Sequence, residues 1–181
     1  FSASPFDGTV AGSQINVLAT TNGPLPDITQ DLEIDGGSCG VAAGPCVGLE
    51  VTQESALGLR LANAADLTVE GLAITAASTG IVIDSGDEVF IQHNWFGIDL
   101  AQTGGAANAN GVSITPGSGV VIGGDTAAER NVIANSSTSG IRITGGDDNT
   151  ITGNYFSTGP TGAFIAETSN FTNIEIGNGN G

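Results

Sequence analysis

Gly58-Leu59-Arg60-Leu61, Gly80-Ile81-Val82-Ile83, Gly111-Val112-Ser113-Ile114 and Gly140-Ile141-Arg142-Ile143 repeat one phrase: glycine, apolar, any residue, apolar. Gly162-Ala163-Phe164-Ile165 reads as a fifth copy, and the five glycines stand 22, 31, 29 and 22 residues apart. Alternation within each copy is the period of a strand. A second strand follows in each turn, with Val69, Ile91, Ile122 and Ile151 as its inward column. The fifth copy reaches Ile174 one place late, as a one-residue insertion would give, and a third short strand holds Ile74, Phe96 and Phe156. Three short strands per 22 residues are one coil of a solenoid. The repeat predicts an all-β, right-handed, single-stranded parallel β-helix over the whole of 1–181. Five regular coils are expected over 58–181, and irregular coils with a cysteine loop over 1–57. One coil cannot bury its own inward side chains, whereas stacked coils bury them in ladders at ~4.8 Å per step.

The two longer coils carry extra residues at Gly97–Asn110 and Gly123–Arg130, which belong in loops on the outside. Asn94 and Asn154 fall at the same place in their coils, and Asn131, Asn135 and Asn149 also stand where strands turn. Asparagine tolerates left-handed turns and its amides can bond along a ladder, so these residues read as structural. Upstream, Ile15–Leu18, Leu32-Glu33-Ile34 and Leu49-Glu50-Val51 read as strands, and Gly23-Pro24-Leu25-Pro26 as a turn.

Composition agrees. Twenty-nine glycines, no methionine and 12% charged residues suit short strands and frequent turns. Nineteen acidic residues against Arg60, Arg130 and Arg142 give a net charge of −16. That charge repels phosphate backbones and anionic bilayers, so neither nucleic acid nor membrane insertion is expected. No apolar run approaches the ~18 residues of a span. Cys39 and Cys46 are separated by six residues, enough for a local disulfide and unlike any zinc spacing. Such a bond implies an oxidising compartment, hence a secreted or cell-surface protein.

Gly111–Asn135, GVSITPGSGVVIGGDTAAERNVIAN, resembles the repeats of bacterial pectate-lyase-like β-helix proteins. Trp95–Ile114, Thr150–Phe156 and the opening Gly23–Gly36 are similar to further stretches of the same repeats. The resemblance covers nearly the whole chain and implies a secreted or surface-anchored protein, of which this is a piece or a small relative.

Members of that fold class include lyases and glycosidases, so catalytic groups were sought. Asp147-Asp148 is a carboxylate pair of the kind glycoside hydrolysis uses, but it lies in the turn sequence Gly145–Asn149. Arg60 and Arg142 share an outward column three coils apart, ~14 Å by the ladder spacing, with no second cation beside either. Arg130 is expected to tether its loop to a carboxylate. His93 is the single histidine and reads as structural. No residue is therefore assigned a catalytic role and no cofactor is required. Calcium is the candidate cation: Asp66, Glu88 and Asp148 fall in one turn column with Asp87 and Asp147 beside it, and stacked like charges call for a hard ion. Trp95 and Tyr155 share a column, with Thr126 between them, and could stack on a sugar ring.

Three functions follow. The first is a non-catalytic structural or adhesive module, binding surface polysaccharide or stacking head to tail on itself. The chain starts at Phe1 and stops at Gly177–Gly181 without capping helices, and open ends would template a surface filament. The second is a polysaccharide lyase or glycoside hydrolase, which needs carboxylates and an arginine in one groove. The third is a carbohydrate-binding module, which needs an exposed aromatic strip.

Overall fold

The computed structural model describes residues 13–17, 25–39, 44–51, 56–102, 104–165 and 168–177. The chain is a right-handed parallel β-helix whose strands fall into three parallel sheets. Numbered in chain order, the first sheet runs β1 (Ser13–Val17), β5 (Val47–Val51), β8 (Leu72–Thr75), β11 (Trp95–Phe96), β15 (Val132–Ile133) and β18 (Tyr155–Phe156). The second runs β2 (Glu33–Asp35), β7 (Ala65–Glu70), β10 (Gly86–Gln92), β14 (Val121–Gly123) and β17 (Thr150–Thr152), with β13 (Gly117–Ser118) also on β10. The third runs β6 (Leu57–Ala62), β9 (Thr79–Asp84), β12 (Asn108–Ile114), β16 (Ser136–Ile143) and β19 (Thr172–Ile176). An antiparallel hairpin, β3 (Ser38–Cys39) and β4 (Gly44–Pro45), stands apart from the coil.

The register explains the repeated phrase. Leu59, Ile81, Val112, Ile141 and Ile174 stack in one inward column, and Leu61, Ile83, Ile114, Ile143 and Ile176 in the next. In the second sheet Ile34, Val69, Ile91, Ile122 and Ile151 stack likewise. In the first sheet Leu49, Ile74, Phe96, Ile133 and Phe156 fill the fourth column, where Ile133 occupies the rung between the two phenylalanines. Apart from Ile174 and Ile176, these four columns form one continuous core. The glycine of each copy is required by the next rung: a Cβ on Gly58 would lie 2.2 Å from the Gly80 carbonyl oxygen, and one on Gly111 2.5 Å from that of Gly140.

The fifth rung is not Gly162–Ile165. That segment lies in an outer loop with Phe164 exposed, and β19 takes the rung instead. Ile174 therefore belongs to the first strand of its coil, not the second. Two local features explain the shift. Asn170 Oδ1 accepts the Ser136 N–H at 2.9 Å and its Nδ2 donates to Ile133 O at 2.8 Å. Asn108 bonds Ala77 N–H and Ile74 O in the same way two rungs earlier. The rung thus begins at an asparagine, and Asn173 stands where the earlier copies have glycine.

The expected N-terminal strands appear as β1, β2 and β5. Leu18, Gly23, Pro24, Phe1 and Asn178–Gly181 lie outside the described residues. A second buried cluster sits on the outer face of the first sheet: Ala73, Trp95, Ile98, Val132 and Ala134, with Leu100 and Tyr155 against it. Among the described residues no helix is long and apolar enough to cross a membrane.

Candidate functional site

Pairing of β2 on β7 sets Asp35 opposite Glu70, with Glu33 opposite Thr68. Outward positions on both strands thus gather Glu33, Asp35 and Glu70, whose ligand atoms lie within 4.8 Å of one another. Burial first, then the charges of Asp35 and Glu33, hold the Glu70 carboxyl above its usual range, while His93 acts in the opposite direction. His93 follows β10 in a left-handed turn with φ 56°. The sequence reading did not single out this group. Its signal was the alternation Glu33-Ile34-Asp35, which becomes a cluster only once Ile34 is placed on Val69.

The carboxylates singled out for a cation are spread over several rungs. Asp66 and Glu88 do meet. A hydrogen bond with Asp66, then the charges of Asp66 and Asp87, push the Glu88 carboxyl up. Asp66, Glu88 and Asp148 all occupy left-handed turn positions, with φ of 48°, 50° and 56°, and Gly119 takes the same conformation at 63°. Asp147 and Asp148 stay a rung away, beyond Ser118 and Gly119. Among the described residues the one group of three ligating side chains within reach of a single ion is Glu33, Asp35 and Glu70, and it includes none of Asp66, Asp87, Glu88, Asp147 and Asp148.

Each arginine is engaged away from these carboxylates. Arg60 bridges Asp27, at 2.6 Å, and Asp84 on the coil surface. Arg142 faces Glu175 at 3.6 Å. Arg60 and Arg142 do share a column, through Val82 and Ser113. Arg130 does not tether its loop to a carboxylate. Its Nε donates to Gly153 O at 2.8 Å and its guanidinium lies 4.2 Å from the centre of the Tyr155 ring. The loop it leaves is closed instead by Glu129, which accepts the Thr126 N–H and hydroxyl, both at 2.8 Å.

Trp95 and Tyr155 share a column, but Val132 stands between them, not Thr126. Trp95 is only 5% exposed. The hairpin lies on it: a Cβ on Gly44 would sit 2.3 Å from Trp95 Cζ2, so only glycine fits there. A sugar ring therefore has no free Trp95 face to stack on. Tyr155 is half-buried beneath Arg130 and the loop at Gly162.

The polar ladder of the first sheet is structural. Asn131, fully buried, accepts the Asn94 N–H at 2.8 Å and donates to Ile91 O at 2.7 Å, while Asn154 Oδ1 accepts from Asn131 Nδ2 at 3.0 Å.

Stacked coils, inward ladders and an asparagine ladder define a parallel β-helix repeat protein. Residues 48–178 match the family described as periplasmic copper-binding protein (NosD), and the chain belongs to that family. The likeness to pectate-lyase-like repeats holds at the level of the coil; the family shown is NosD. No curated protein and no solved structure matches the chain.

Proposed function

We propose that the chain is a non-catalytic structural β-helix module outside the cytoplasm. The observation that carries this reading is the dispersal of its charged groups: Arg60 and Arg142 pair on the coil surface with Asp27, Asp84 and Glu175, and Arg130 lies over Tyr155, so the one close carboxylate group among the described residues, Glu33, Asp35 and Glu70, has none of the three arginines for a partner.

A periplasmic family description and the disulfide-bonded state of Cys46 support the extracytoplasmic part. Cys39 is the only other cysteine in the chain and lies opposite Gly44 in the hairpin, so we assign it as the partner of Cys46. Copper, which the family description names, is not part of this reading.

Incubation of the folded chain with a panel of acidic and neutral polysaccharides, read by release of reducing ends and of unsaturated products, tests the proposal. No release above a protein-free blank is expected. Cleavage that is lost in Glu70→Gln would overturn the non-catalytic reading.

A further inference from the structure

We infer that this chain has the NosD-family coil without a copper-holding site of its own. Copper(I) is held by thiolates and thioethers, and copper(II) by imidazoles in tetragonal nitrogen–oxygen sets. The whole sequence contains no methionine, one histidine and two cysteines. Cys46 is disulfide-bonded, which takes it out of the pool of thiolate ligands. With Cys39 as its partner, no soft donor remains.

The imidazole of His93 is then the single nitrogen ligand the side chains can offer. It stands on the turn after β10, and the three side chains that reach one another nearby are carboxylates only. His93 is near enough to Glu70 to act on its charge, but it does not belong to the group of mutually reachable ligand atoms, and the all-oxygen set that remains suits hard ions such as calcium, magnesium or manganese. The absent donors are not replaced elsewhere, because every histidine, cysteine and methionine position in the chain is accounted for. What carries the match to the family over residues 48–178 is therefore the coil and not a set of copper ligands.

The test uses the intact, oxidised chain and two probes: copper(II) alone, and copper(I) under anaerobic conditions. Each is titrated against a chromophoric chelator, with circular dichroism to confirm that the protein stays folded. Both ions are expected to partition to the chelator as they do in a protein-free blank, with Trp95 emission unchanged. One equivalent of either ion withheld from the chelator by the folded chain would overturn the inference. Loss of that equivalent in His93→Ala would locate the error at the imidazole, and its retention would locate it at the cysteines or carboxylates.

Discussion

Replacing Asn131 by alanine should weaken the coil by a magnitude the geometry sets. Asn131 has no exposed surface and joins three rungs. Its Oδ1 satisfies the Asn94 N–H and its Nδ2 satisfies the Ile91 carbonyl. Alanine leaves both backbone groups buried and unpaired, at about 1–3 kcal/mol each. The expected loss is about 4 kcal/mol, a large part of the ~5–15 kcal/mol that holds a domain. With a urea slope of about 2 kcal/mol/M, the midpoint should fall by about 2 M. Urea unfolding followed by emission of Trp95, next in sequence to Asn94, reads these rungs directly. Asn94→Ala orphans the Leu72 N–H and the Val69 carbonyl in the same way. The double variant should lose less than the sum, because the two amides bond each other. A loss below about 0.5 kcal/mol for Asn131→Ala, in the range of ordinary surface substitutions, would refute the ladder as a stabilising device.

Three other outcomes are expected. Gly111→Ala sets a Cβ 2.5 Å from the Gly140 carbonyl and should cost about 1–3 kcal/mol or more in thermal or urea unfolding, although it adds only a methyl group. Reducing the cysteines should lower stability by about 2–3 kcal/mol and shift Trp95 emission to the red, because the hairpin that covers the indole is released; unchanged emission would mean the hairpin holds without the bond. Glu88→Gln should raise the melting temperature near neutral pH and have little effect in acid. The sign follows from the raised Glu88 carboxyl. Between its unfolded and folded pKa the native state binds more protons, so stability falls as pH rises through that window. Removing the charge removes the fall, and parallel melting curves at both pH values would contradict it.

Four coils were legible because their inward positions alternate and their glycines answer a steric demand from the next rung. The fifth was misplaced at Gly162–Ile165 because a 22-residue step matched the basic coil. Position 173 carries asparagine where the earlier copies carry glycine, so the phrase vanished where the strand is real, and Asn170 was the better marker. Contacts between segments far apart in sequence were not legible. Nothing local to Gly44 reveals that it lies on Trp95, and nothing local to Glu33 and Asp35 reveals Glu70. The irregular coils between β2 and β7 hide that register. The Asp66–Glu88 contact could be read because both residues sit at the same turn of successive regular coils.

The most direct test of the coil is a distance. Val82 and Glu175 are 93 residues apart in sequence but occupy one outward column, joined through Ser113 and Arg142. Three rungs place their Cα atoms ~14 Å apart. Spin labels at Val82→Cys and Glu175→Cys, read by electron paramagnetic resonance with the native cysteines oxidised, should give a narrow distribution consistent with that separation. A distribution centred beyond about 25 Å, more than five rung spacings, would contradict the stacking and the placement of β19 as its fifth rung.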